Sequence, residues 1–174
     1  MFRRTLLRLV AMITLLAAIH SQAQTIVLHI PNVTGDATSS PHVGDMDIDS
    51  FNWSVATAPS GSGTGGVGPP TFSDVSISKL VDRATPTLAQ KCAAGANLGT
   101  VVIYVTKATT NGLHYDYYRV TLGQAYLTGD SVSGGGNGQS MQETLTLRFS
   151  TIQWLYTPVD SQGVPQTPIT TQYP

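Results

Sequence analysis

The sequence predicts a mostly β domain, a small antiparallel β-barrel or two-sheet sandwich flanked by one short α-helix over about residues 86–94. Three observations predict it. Beyond the first two dozen residues, apolar side chains recur with period two, the spacing that lines one face of a strand. Clusters of Gly, Pro, Asn and Ser punctuate these runs at intervals suited to tight turns. Only between Thr85 and Gly95 does the period lengthen to that of a helix.

The chain opens on a targeting signal and not on the fold. Arg3, Arg4 and Arg8 form a basic start, and Leu9 to Ile19 is apolar without a charge, too short a run to span a bilayer comfortably. Ser21 and Ala23 fit a small-residue cleavage site, so cleavage is expected between Ala23 and Gln24. Export of the Sec type is the default, and Arg3-Arg4 leaves a twin-arginine route open. The expected organisation is therefore a signal peptide over 1–23, one β domain over 24–158, and a Pro-rich tail over 159–174.

The leader holds three of the nine Lys and Arg residues and none of the ten acids. The remainder thus carries six basic against ten acidic residues, a formal −4, which argues against nucleic acid or an anionic membrane as main partner. Cys92 is the single cysteine, so an exported chain gains no internal disulfide, and Ala neighbours suit it to a small buried role.

Thr25–Ile30 alternates Ile26, Leu28 and Ile30 on one side. Residues 46–55 change phase midway: Met46 and Ile48 share one face, Phe51, Trp53 and Val55 the other, as a bulge or a strand bending between two sheets would require. Ala58 to Pro70 carries no core pattern and reads as a long excursion between strands. The strand 74–81 leads through Asp82-Arg-Ala-Thr-Pro86 into the helix. Thr85 can cap it, Pro86 suits its first position, and Gly95 suits its left-handed close. Leu88, Ala89, Cys92 and Ala93 form its apolar face, and a helix this short borrows stability from the sheet it covers.

Val101–Thr106 is continuously apolar, and 114–122 is rich in aromatic and β-branched residues; with Asn111-Gly112 between them they predict a hairpin. Residues 123–132 give a further strand, 133–138 a flexible Gly-rich tip, and 143–149 alternates Leu145, Leu147 and Phe149 against polar partners. Ile152, Trp154 and Tyr156 alternate towards a core. Roughly eight short strands result, within the range of a small barrel whose side chains fill its interior. The tail beyond Thr157 has little to bury.

Chemistry is sparse. Asp45, Asp47 and Asp49 begin like a calcium loop, yet Ser50 stands where its turn glycine is needed and Ala56 where its bidentate Glu belongs, so they are expected on the solvated side of an edge or in a subunit contact. The glycines from 61 to 68 precede two prolines and a strand, not the helix N-terminus that a phosphate loop requires. His29, His42 and His114 are dispersed, and no serine sits in a nucleophile elbow. Glu143, the single glutamate, is expected in a structural salt bridge or a subunit contact. No catalytic, cofactor or metal residue is assigned.

The ordered series of motifs resembles the Hcp family, the hemolysin-coregulated proteins that form the inner tube of type VI secretion systems. It comprises Ile48-Asp-Ser-Phe-Asn-Trp-Ser54, the Gly-rich loop, 72–79, Asp82-Arg-Ala-Thr-Pro-Thr-Leu88, Cys92-Ala-Ala-Gly95, the Tyr117-Tyr118 strand, Glu143-Thr-Leu-Thr-Leu147 and Trp154-Leu-Tyr-Thr-Pro158. Ser50, Trp53, Asp82, Pro86, Gly95, Glu143, Trp154 and Tyr156 are its structural marks. The resemblance implies a non-enzymatic structural protein without cofactor. It also implies a homo-oligomer, a hexameric ring stacking into a tube secreted with or carrying effectors, with spike, sheath or effector proteins as partners. Its setting would be bacterial, extracellular or periplasmic, without stable membrane insertion once the leader is lost. The leader and the shortened tail motivate the alternative, an exported monomeric β domain of this fold that binds another protein or a glycan.

Overall fold

The computed structural model describes residues 24–59, 66–109 and 114–174. The leader up to Ala23, the Asn111-Gly112 turn and residues 60–65 of the Gly-rich loop lie outside them. The described residues hold eleven strands and one helix where the sequence suggested eight and one.

The first strands are β1 (Thr25–His29), β2 (Met46–Asp47), β3 (Ser50–Asn52), β4 (Val55–Pro59), β5 (Val67–Phe72) and β6 (Val75–Leu80). Helix α1 (Thr85–Ala93) follows, then β7 (Asn97–Ala108), β8 (His114–Ser133), β9 (Gln142–Arg148), β10 (Thr151–Tyr156) and β11 (Ile169–Tyr173). Every strand pairing among the described residues is antiparallel, and the main sheet runs β2-β1-β7-β8-β9-β6-β3, with β10 on β8 and β11 on β10.

The phase change in 46–55 is the chain crossing from one end of this sheet to the other. Strands β2 and β3 are its two edges, yet only Ile48 and Asp49 separate them. The Ile48 N–H bonds the Ile26 carbonyl at 3.0 Å and the Asp49 N–H bonds the Ser78 carbonyl at 2.8 Å. The ladder itself is not closed; the Ile48 N–H ties the linker between its edges to β1, and the Asp49 N–H ties it to β6. Side chains before and after the crossing must then point to opposite sides to reach one interior, because successive strand residues alternate faces.

Strand β8 is twice as long as expected because two predicted strands are one. Its residues 118–123 pair with β10 and 126–133 with β9, so a single strand serves two arms of the sheet. The arms part at Gly123 and Gln124, the latter in the left-handed region at φ 51°. Register shifts again between Leu127 and Gly129, which turns Asp130 and Val132 towards the side that Leu127 faces.

The interior is filled by Leu28, Ile30, Met46, Ile77, Ile103, Leu122, Leu145, Leu147 and Ile152, all buried. Val101, Val102, Ile103 and Val105 are all buried too, since the loop 31–45 overlies the outer face of β1 and β7, and a strand covered on both sides reads as a continuous apolar run. That loop folds on itself through Gly35 N–H to Gly44 O (2.8 Å) and Ala37 N–H to Asp45 O (2.9 Å). Gly35 is required there, because a Cβ would collide with the Asp45 carbonyl oxygen.

Two segments expected to be irregular carry strands. β4 and β5 form a separate two-stranded ribbon in which Pro70 sits opposite Thr57, a position open to proline because the ribbon has no third strand to receive an N–H. In the tail, β11 pairs along the whole of β10, from Ile152 with Tyr173 to Tyr156 with Ile169.

Candidate functional site

The corner between β6 and α1 is built on a buried ion pair. Along β6 the core-facing positions are Val75, Ile77 and Lys79, and along β9 they are Glu143, Leu145 and Leu147. Lys79 and Glu143 sit opposite each other in the ladder, each fully buried, with Nζ 2.6 Å from Oε2. The ammonium also donates to Asp82 Oδ1 and to the Leu80 carbonyl, both at 2.8 Å, so its three donors are matched.

Asp82 accepts from the Ala84 N–H at 2.9 Å. Thr85 accepts from the Asp82 N–H at 3.2 Å and donates its hydroxyl to Glu143 Oε2 at 2.6 Å. This corrects the expected cap. The helix begins at Thr85 itself, the position before it is Ala84, and no side chain caps it: the Thr85 oxygen accepts from the Asp82 N–H instead of from a helix N–H, and its proton goes to Glu143. Pro86 lies in the first turn, as expected.

Helix α1 buries one residue, Leu88. Cys92 is half-buried against the core, whereas Ala89 and Ala93 are exposed, so the apolar face is narrower than the spacing suggested and the thiol is not fully enclosed. Gly95 closes the helix at φ 59°, with its N–H on the Cys92 carbonyl and the Ala96 N–H on that of Lys91.

An aromatic seam runs across the mouth of the sheet. Trp53 and Trp154 lie 5.2 Å apart between centroids, Phe72 lies 6.2 Å from Trp154 and 6.1 Å from Phe149, and Tyr173 closes on Phe72 at 5.1 Å. Ser50 stands on β3 opposite Ser78. Tyr156, expected to face a core, is exposed on the outer turn of β10.

The three aspartates do not share a strand. Asp45 ends the loop 31–45, where His29 Nδ1 is 2.7 Å from Oδ1 and His42 Nδ1 is 3.5 Å from Oδ2. His42 stacks on Tyr104 at 4.1 Å, and its Nε2 lies 2.8 Å from Asp116, which also accepts from Thr106. These contacts pin the loop to β7 and β8. Asp47 is exposed on β2, and partial burial followed by the charge of Asp82 raises its carboxyl above the usual range. His114 is exposed at the start of β8. Among the described residues no group of His, Cys, Asp and Glu is placed to hold a metal ion.

Sequence reasoning missed Lys79, Asp130 and the His42 cluster. Lys79 carried a signal, since period two places it on the face of Val75 and Ile77. Asp130 carried none, because the register shift inside β8 reverses its side.

Large exposed apolar residues mark the protruding elements: Val55 and Val67 on the β4–β5 ribbon, Val132 and Met141 beside the Gly-rich tip, and Ile169 on β11. Such residues next to unpaired strand edges suit contact with other protein surfaces. No helix among the described residues is long and apolar enough to cross a membrane.

A family model described as "Type VI secretion system effector, Hcp" matches residues 27–156. Protein hcp1 of Pseudomonas aeruginosa is 28% identical over 90 residues, which cover 52% of this chain and 55% of that relative, so the chain spans about half the length of the curated relative it matches. Among solved structures, one titled as a type six secretion system protein superposes with a TM-score of 0.77 at 22% identity, covering 84% of this chain and 92% of the other. The crystal structure of Hcp1 from Salmonella typhimurium superposes at 0.68 with 27% identity, over 87% of this chain and 94% of that one.

Proposed function

Since the chain belongs to the Hcp family of type VI secretion proteins, we propose that it is a structural subunit that assembles with copies of itself into a hexameric ring and builds a secreted tube. The single observation that carries this reading is the match over residues 27–156, which takes in the whole sheet except β11 and part of β1. The surface agrees with it. Several of the apolar residues left in water sit on the ribbon, beside the tip and on the outer strand, where a neighbouring copy can reach them, and head-to-tail contacts of this kind close into rings when the rotation per subunit fits. Enzymatic function is not part of the reading: among the described residues the buried charged groups at the corner bond to one another and join β6, β9 and the start of α1. Spike, sheath or effector proteins are the partners it implies. Removal of residues 1–23 places the working chain outside the cytoplasm.

Native mass spectrometry and negative-stain microscopy on the chain beginning at Gln24 test the proposal. Hexamers seen as rings are expected. A strict monomer at high protein concentration overturns it and leaves a monomeric binding domain of this fold. The mass of the mature N-terminus from expressing bacteria tests the leader separately.

A further inference from the structure

We propose that Asp130 and Glu143 hold one proton between them, making the corner beneath α1 a proton-binding site that tightens on acidification. Three oxygens carry the argument. Glu143 Oε2 is saturated by Lys79 and Thr85, but Oε1 is buried with no partner, and both Asp130 carboxyl oxygens are excluded from solvent with no partner. Carboxylates only accept hydrogen bonds, so two ionised groups on this face leave every one of these oxygens unpaired. One proton between them turns an unpaired contact into an O–H···O⁻ bond.

The strand register brings the pair together. Glu143 lies opposite Val132, and Asp130, two residues earlier on β8, shares that face and stands diagonal to it. The surrounding groups are known on every side: Glu143 from β9, Lys79 from β6, Asp82 and Thr85 at the corner, and Cys92 from α1. Lys79 is a single cation facing Glu143 and Asp82 already, so a third negative charge has no counter-ion. Burial, then the negative charge of Glu143, hold the Asp130 carboxyl above the usual carboxylate range, against a smaller lowering by Lys79. A cleft of about 330 Å³ lined by Ala89, Cys92, Ala93, Asp130 and Val132 gives the proton a route in.

A carboxyl that binds its proton more tightly in the folded than in the unfolded chain adds stability at low pH, and this is lost as pH rises through the folded value. Asp130→Asn supplies a permanent N–H donor of the same shape. Thermal unfolding from about pH 8 to about pH 5 is expected to show the Asn variant more stable than wild type at the alkaline end, with the gap closing at the acid end. A variant equally or less stable at every pH overturns the proposal. The ¹³C carboxyl resonance of Asp130 in the unmodified chain gives a second reading that does not depend on the variant folding: titration well above an ordinary aspartate supports the shared proton, and an ionised signal throughout refutes it.

Discussion

Replacing Lys79 by Met removes the buried cation from the corner and leaves its carboxylates behind. Glu143 Oε2 keeps only the Thr85 hydroxyl, and Asp82 keeps the Ala84 N–H. Both partners of the lost pair are fully buried, so the expected cost is that of an uncompensated interior charge, about 3–5 kcal/mol. For a chain near 150 residues this lowers Tm by about 6–20 °C. Glu143→Leu is expected to cost less, on the order of 2 kcal/mol, because Lys79 keeps Asp82 Oδ1 and the Leu80 carbonyl, and Asp130 is free to ionise as a replacement. The double variant replaces the pair by apolar side chains of similar volume, and it should fall short of the summed costs by at least about 2 kcal/mol. Urea unfolding of the four proteins at one protomer concentration measures this cycle, since assembly would otherwise shift the midpoints. Additivity within about 0.5 kcal/mol, or a Lys79 variant no worse than the Glu143 variant, refutes the account.

Two further perturbations test other parts of the fold. Gly35→Ala drives a methyl group into the Asp45 backbone, so it should destabilise by about 1–3 kcal/mol and speed hydrogen exchange in the loop 31–45 before the rest of the chain; an unchanged exchange pattern would count against the packing described. Tyr173→Ala opens the aromatic seam beside Phe72, and a red shift of tryptophan emission is expected as water reaches Trp154. Emission that stays put would mean that β11 does not shield the seam.

Parity made much of this molecule readable. Alternation placed Leu145 and Leu147 inside; the same rule, carried on to Lys79 and Glu143, sets a cation and an anion on core positions of separate strands, a signal that went unread for Lys79. The phase change near Ile48 was visible as well, and it proved to be the crossing between the sheet's edges. What escaped depended on partners distant in the chain. Asp130 is turned inward by a register shift that local sequence does not encode. Thr85 looked like a helix cap because the partner that takes its proton, Glu143, lies 58 residues away. The tail seemed to have little to bury, and no side chain of β11 is fully enclosed; main-chain bonds to β10 hold it, with Tyr173 set against Phe72, and such bonds leave no hydrophobic trace.

The join at Ile48 and Asp49 determines how the subunit bears load. Around most of its circumference, neighbouring strands are fastened by rows of bonds that must shear together. At this one line the wall is a peptide linkage flanked by two single bonds, strong when pulled along the chain and compliant when bent. A sideways squeeze therefore finds its hinge there, so the subunit can change its cross-section while every strand pairing survives.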